Sequence, residues 1–330
     1  MVGPAWVGDM VMAQSLLIRL KQDHPGAIID VLAPGWSRPL LARMPEVSEA
    51  IDMPLGHGEL KLGVRRQLGR SLSFRRYDWA IVLPYTWKSA LVPYWARIPR
   101  RTGYVGELRY GLLNDIRRLD KQRLTQMAQR YVALADAPGA PVPQVPEPRL
   151  HTTAESVDRA LARAGVERPE GRLAVFCPGA EYGPAKRWPP DHFASVARDL
   201  IERGWQVWIM GSPKDAEFGQ GICAQAGEGC TDLCGRTQLE EAIDLMSLSD
   251  VVVSNDSGLM HIAAALDRPL VALYGSSTPD YTPPLNARAR ILSIHMECSP
   301  CFDRECRFGH YRCLQELDPA QVERTIGELV

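Results

Sequence analysis

Three short segments hold residues whose types and spacing can do chemistry on a phosphate-bearing substrate. In the first, Val251-Val-Val-Ser-Asn-Asp-Ser-Gly-Leu-Met-His-Ile-Ala-Ala-Ala, an apolar run ends in four small polar residues and a helical pattern follows. Asn255, Asp256, Ser257 and Gly258 all suit the start of a helix, where unpaired amides and the helix dipole attract phosphate. A plain helix cap satisfies the same pattern, and His261 reads equally as a ligand-facing or a structural histidine. The second segment, Cys177-Pro-Gly-Ala-Glu-Tyr-Gly-Pro-Ala-Lys-Arg-Trp-Pro-Pro-Asp, sets two cations in a loop shaped by glycine and proline. Lys186 there can neutralise a departing diphosphate, although a solvated Lys-Arg pair has the same sequence. The third, Gly3-Pro-Ala-Trp-Val-Gly-Asp-Met, has the Gly-x4-Gly spacing of a phosphate loop. Asp9-Met10 stand where that loop requires Lys-Ser/Thr, so its mechanism is excluded. Asp9 fits a general base, the cap of the following helix, or both.

These segments need elements to hold them, and the chain alternates strand-like and helix-like patterns throughout. At 330 residues it exceeds the roughly 250–300 at which single cores stop growing, so two domains are expected. Strands are predicted at Ile28–Leu32, Ala50–Ile51 and Trp79–Leu83, with helices at Val11–Lys21, Leu60–Leu72 and Trp87–Ala96. Proline recurs from Pro138 to Pro148, where neither a helix nor a central strand can form, and this segment reads as a linker. The alternation restarts with strands at Leu173–Cys177, Gln206–Met210, Val251–Ser254 and Leu270–Tyr274. Helices are predicted at Asp191–Arg203, Ala216–Ala226, Glu240–Met246, Leu259–Ala265 and Pro319–Leu329, the last closing its own domain or crossing to the first. The expected class is therefore α/β, with two doubly wound, Rossmann-like parallel-sheet domains at 1–150 and 151–330. One difficulty stands: only Met1–Val2 is left to form the first strand, which implies an unfilled sheet position or a start upstream of Met1.

Composition narrows the class further. The 45% hydrophobic and 23% charged residues are those of a globular chain, with no apolar run approaching the roughly 18 residues of a membrane span. The amino end carries an acid and no basic leader, so a cytoplasmic address is expected. Residues 1–150 carry a net charge of +8 and residues 151–330 of −9. The basic half suits an anionic ligand or membrane surface, and two complementary faces would serve the same asymmetry. Eight cysteines in such a compartment are expected as thiols or metal ligands.

The three segments, together with Met44-Pro-Glu-Val, Pro54-Leu-Gly-His-Gly, Lys88-Ser-Ala-Leu-Val-Pro and Arg109-Tyr-Gly-Leu-Leu-Asn-Asp, closely resemble the ADP-heptose:lipopolysaccharide heptosyltransferases along the whole chain. The resemblance implies a glycosyltransferase-B fold, two domains facing across a cleft with the acceptor on the first and the nucleotide sugar on the second. It implies inverting transfer of L-glycero-D-manno-heptose from ADP-heptose to the first heptose of Kdo-lipid A. By position in the motifs, Asp9 would be the base and Lys186 would hold the diphosphate. Asp256, Ser257, Gly258 and His261 would line the sugar-phosphate pocket, Asp215 or Glu217 would meet the ribose, and Trp6, Gly8 and Lys88 would lie on the acceptor side. No divalent metal is implied for the chemistry, in keeping with the absence of Asp-x-Asp, and no nucleic acid is expected as a partner. Transfer to another core position, or a nucleotide-sugar-binding module without turnover, are the competing readings; the joint presence of Asp9, Lys186 and His261 argues against the latter.

Two features lie outside these motifs. Arg65, Arg66, Arg70, Arg75 and Arg76 would suit peripheral contact with the cytoplasmic face of the inner membrane, or simply a solvated helix face. Cys298, Cys301, Cys306 and Cys313, with His310 nearby, suggest a structural tetrahedral zinc site or an iron–sulfur cluster, with free thiols as the alternative.

Overall fold

All strand pairings are parallel, as alternation of buried apolar runs with crossover helices requires. The computed structural model describes residues 1–56 and 58–330; His57, in the Pro54–Gly58 segment, lies outside the described residues. The chain divides into two units, Met1–Pro148 and Arg149–Val330.

The first unit runs α1 (Val7–Asp23), β1 (Asp30–Pro34), α2 (Arg38–Leu41), β2 (Glu49–Met53), α3 (Leu62–Leu72), β3 (Trp79–Ile81), α4 (Leu91–Trp95), β4 (Arg100–Tyr104), β5 (Asp115–Arg117) and α5 (Met127–Val132). Two sheets, β2-β1 and β3-β4-β5, meet at Val2, which bridges in parallel to both Leu32 and Val82. Val2 N–H donates to Ile81 at 2.8 Å, Leu83 N–H to Val2 at 3.1 Å and Gly3 N–H to Leu32 at 2.9 Å. A single residue thus takes the central position that Met1–Val2 was expected to leave unfilled. Taken in space, β2, β1, Val2, β3, β4 and β5 follow the doubly wound order 3-2-1-4-5-6. Toward the strands' amino ends from Val2 lies a cavity of about 610 Å³, lined by Met1, Asp30, Leu32, Trp79 and Ile81. The predicted helix over Trp87–Ala96 is instead a 3₁₀ turn, Trp87–Ala90, followed by α4. Pro93 has no N–H to donate and is tolerated only in a helix's first turn, which is where it sits in α4.

Arg65 corrects the expectation of a five-arginine surface. It is buried on α3, donating from Nε to Leu60 O at 2.7 Å and from Nη2 to Glu59 O at 2.9 Å. Its aliphatic stem and guanidinium tie down the loop before α3, and burial lowers its pKa. Arg66, Arg70, Arg75 and Arg76 are exposed, Arg75 in a bidentate pair with Glu49.

The second unit runs α6 (Ala154–Ala164), β6 (Leu173–Cys177), α7 (Pro190–Glu202), β7 (Gln206–Ile209), α8 (Ala216–Ala226), β8 (Cys230–Asp232), α9 (Leu239–Met246), β9 (Val251–Asn255), α10 (Gly258–Ala265), β10 (Leu270–Tyr274), β11 (Ala289–Ser293), α11 (Arg312–Gln315) and α12 (Pro319–Leu329). One six-stranded sheet has the order β11-β10-β9-β6-β7-β8. Strands β6, β9 and β10 are buried at every position, so β6 and β10 are continuously apolar rather than alternating, and β9 is apolar up to Ser254 and Asn255 at its carboxyl end. Val322 and Ile326 of α12 join the core beside Phe193 and Leu273, so α12 closes its own unit. The chain reverses its winding between β6 and β9, and ligands of open parallel sheets bind outside the strand ends at such a switch point.

Candidate active site

Lys186 and Asp256 stand on the two loops that leave this switch point. The loop after β6 turns through a short 3₁₀ element, Pro184–Lys186, and the loop after β9 is only Asp256 and Ser257 before α10 begins. Asn255, wholly buried at the end of β9, ties the loops together: its Nδ2 donates to Pro178 O at 2.7 Å and its Oδ1 accepts the Trp188 N–H at 3.0 Å. Trp188 is itself buried against Phe193 and donates from Nε1 to Leu317 O at 3.0 Å. With both ends of its loop fixed this way, Lys186 reaches Asp256, and Nζ lies 2.5 Å from Oδ2.

Asp256 is 5% exposed, and a carboxylate so buried is costly without partners. Its Oδ2 accepts from Lys186 and also from the hydroxyl of Ser277 at 2.5 Å. Ser277 follows β10, so three adjacent strands each contribute one member of this cluster. The aromatic ring of Tyr182 lies 5.0 Å from the Lys186 ammonium, a second electrostatic hold on the cation.

The start of α10 adds a second source of positive potential. Ser257 is its N-cap and makes no side-chain capping bond, so the first-turn amides are not met by it. Ser257 and Gly258 are half-buried. The amides at such a helix start, beside a lysine, form an anion site of the kind that phosphate occupies.

His261 lies on α10, buried, and its pKa is lowered to about 4, chiefly by desolvation, with Asp256 opposing and Lys186 adding to the shift. It is therefore neutral at physiological pH. The unfolded chain binds a proton at this histidine below about pH 6.5 and the folded chain does not until about pH 4, so stability is full above 6.5 and falls as pH drops through that window. The expected loss is about 3 kcal/mol. Chemical denaturation between pH 4 and 7 should show a correspondingly flatter dependence in His261→Gln than in the parent; parallel curves would remove His261 as the source.

The remaining expected residues sit as follows. Asp215 accepts from the amide and hydroxyl of Ser212, at 2.9 and 2.7 Å, and lies 3.6 Å from Arg187, between Gly179 and Gly211. It caps its own turn and joins the loops after β6 and β7, which leaves Glu217 as the exposed carboxylate there. On the other unit, Asp9 occupies the third position of α1, and the Tyr131 hydroxyl approaches its Oδ1 at 3.4 Å. Trp6 is exposed, Gly8 half-buried on α1, and Lys88 half-buried in the 3₁₀ turn after β3.

Cys298, Cys301, Cys306 and Cys313 line one cavity of about 20 Å³ with His310 and Ser276, and Cys306 Sγ lies 3.9 Å from His310 Nδ1. Among the described residues, no three His, Cys, Asp or Glu side chains are disposed to hold a metal ion. As arranged, these side chains do not form the tetrahedral zinc or iron–sulfur site expected from the spacing.

The sequence does not single out Ser277 or Tyr182, and it marks Asn255 only as a helix-start residue, not as the tie between the two loops. Ser276-Ser277 does carry a usable signal, because small polar residues after an apolar strand mark the same strand end as at β9.

Comparison with known proteins places this geometry. Residues 65–312 match the model of glycosyltransferase family 9 (heptosyltransferase). The chain is 49% identical to lipopolysaccharide heptosyltransferase 2 of Salmonella typhimurium, over 100% of this chain and 97% of that protein. It is 46% identical to lipooligosaccharide heptosyltransferase 2 of Haemophilus ducreyi, over 100% and 98%. The solved structure of Escherichia coli ADP-heptose lps heptosyltransferase II superposes with a TM-score of 0.88 at 46% identity, covering 99% of this chain and 97% of that one. The chain belongs to glycosyltransferase family 9, the heptosyltransferases.

Proposed function

We propose that this glycosyltransferase moves L-glycero-D-manno-heptose from ADP-heptose to the first heptose of Kdo-lipid A, inverting the anomeric centre. The observation that carries the reading is the convergence of the Lys186 ammonium and the α10 N-terminus at the switch point of the second unit. Both stabilise negative charge at one place, and the charge that grows most during transfer from a nucleotide sugar is on the departing diphosphate. Lys186 thus supplies the cation for the leaving group, and no divalent metal is needed for that task. Neutral His261 completes the wall without adding charge. Asp9 takes the proton of the attacking acceptor hydroxyl, which makes the displacement a single inverting step. The names of the relatives, at nearly half identity over the full chain, favour this donor and an inner-core acceptor.

Anionic lipid is the natural surface for such an acceptor, and we place the enzyme peripherally on the cytoplasmic face of the inner membrane. Among the described residues no helix is long and apolar enough to cross a membrane. Phe74, 87% exposed, follows α3, which carries exposed Leu62, Val64, Arg66 and Arg70, and exposed Arg76 comes two residues later. Apolar tips amid arginines suit an interface rich in acidic headgroups.

The test is acceptor-dependent turnover. ADP should be released from ADP-heptose with an acceptor carrying one heptose, and the lipid should gain the mass of one heptosyl unit. Little release is expected with a heptose-free acceptor or with none. Equal turnover on the heptose-free lipid would assign a different core position, and tight ADP-heptose binding without product would identify a binding module.

A further inference from the structure

The segment 298–313, set apart in the sequence by its cysteines, makes its most consequential contacts through backbone. The Phe302 carbonyl accepts from the Tyr182 hydroxyl at 2.6 Å, and the Arg304 carbonyl accepts from Ala185 N–H at 3.0 Å. Both donors lie in the loop that ends at Lys186. On its other side the segment holds the loop after β10: Phe302 N–H donates to Ser276 O at 2.7 Å, and Ser299 Oγ donates to Gly275 O at 2.5 Å. The neighbour of Ser276 is Ser277, whose hydroxyl holds Asp256. One stretch of chain therefore ties down the loop that carries Lys186 and the loop that carries Ser277, the two side chains that donate to Asp256.

The fit is close. A Cβ on Gly183 would come within 2.4 Å of the Arg304 carbonyl oxygen, and a Cβ on Gly275 within 3.2 Å of Cys313 Sγ. The Tyr182 ring lies 5.0 Å from the Lys186 ammonium and 5.3 Å from the Arg304 guanidinium, so the same side chain that is anchored to the segment also touches the cation. The small cavity lined by the four cysteines lies on this segment, next to Ala185 and Ser276.

We propose that residues 298–313 act as a strap that positions Lys186 for the diphosphate, with Tyr182 and Gly183 as its positioning residues on the Lys186 loop. The inference rests on the reading of Lys186 as the diphosphate cation, and it gives the cysteine-rich segment a role that needs no metal. A loop freed from the strap still binds the nucleoside, because that part of the ligand does not depend on where the ammonium points. What it loses is the advantage of the second phosphate.

The ratio of AMP to ADP dissociation constants measures that advantage. Calorimetric titration of both nucleotides into the full chain, and into Lys186→Ala, Tyr182→Phe and Gly183→Ala, tests the proposal. Lys186→Ala should weaken ADP by tenfold or more, with AMP changed less than twofold. Tyr182→Phe keeps the ring beside the ammonium and loses one hydrogen bond, for an ADP-selective weakening of about fivefold. Gly183→Ala, which must displace the Arg304 carbonyl, should weaken ADP more. Selective loss in Lys186→Ala with unchanged ratios in Tyr182→Phe would overturn the strap alone. Equal weakening of AMP and ADP in Tyr182→Phe would overturn it too, as general loosening. An unchanged ratio in Lys186→Ala would instead remove the diphosphate reading itself. Tyr182→Phe decides the matter should Gly183→Ala not fold.

Discussion

Lys186→Ala is expected to lower kcat about 10²–10³-fold, roughly 2.7–4 kcal/mol of transition-state stabilisation, because on the proposed reading it removes a side-chain cation from the leaving diphosphate. The α10 amides remain, so the reaction should not fall to the uncatalysed rate. A second effect follows from Asp256, which is 5% exposed and would lose its ion pair and keep the Ser277 hydroxyl. Stranding a fully buried charge costs about 3–5 kcal/mol. The Lys186 side chain is 16% exposed, so water can follow its removal and the destabilisation should be smaller. Measuring kcat at saturating ADP-heptose beside the melting temperature separates the two effects. The double variant Lys186→Ala with Asp256→Asn should recover stability without recovering turnover, since the asparagine needs no cation but the diphosphate still does. Turnover of Lys186→Ala within threefold of the parent would exclude the leaving-group role.

The elements that frame this chemistry were legible because they are buried on both faces. Leu173–Cys177 and Leu270–Tyr274 were predicted with the bounds they have, since a continuously apolar run of five flanked by turn residues has few other uses. Of the strands no local pattern shows, β5 and β8 span three residues, and β4 and β11 carry arginines. Arg100–Tyr104 and Asp115–Arg117 carry four charged residues, and what makes them strands is cross-strand pairing: Arg100 with Asp115 at 3.1 Å and Thr102 with Asp115 at 2.8 Å. Such pairing depends on partners that no local pattern reveals. Val2 is the extreme case, a single residue made into a strand by neighbours 30 and 80 positions away.

The site divides the same way. Lys186, Asp256 and His261 could be named because strand-to-helix junctions advertise themselves, and the structure brings these three together. Asp215 looked like the same kind of signal, a carboxylate after a strand, yet it is taken up by Ser212 and Arg187. Four thiols in close sequence suggested a metal, whereas the contacts of that segment are largely carbonyls and amides, groups every residue carries and no composition can single out. Residue type predicts which chemistry is available at a strand end; it does not tell which side chain the neighbouring loop will occupy.

Asp9→Asn should lower kcat by about 10²–10⁴-fold, the usual contribution of a positioned general base. The substitution keeps volume and an oxygen able to accept from the Tyr131 hydroxyl, so α1 should retain its place against α5. The carboxylate also complements the dipole in the first turn of α1, a contribution of about 0.3–1 kcal/mol that asparagine gives up, and this sets the stability loss to expect. The proposed reading puts the donor on residues of the second unit, so the KM for ADP-heptose should stay within twofold while kcat falls. Tyr131→Phe serves as the control: it removes a contact already long at 3.4 Å and should cost turnover only a few-fold. Normal turnover in Asp9→Asn would move the base elsewhere in the chain. Asp9 would then be left with the other reading its position allows, an acid that settles the start of α1.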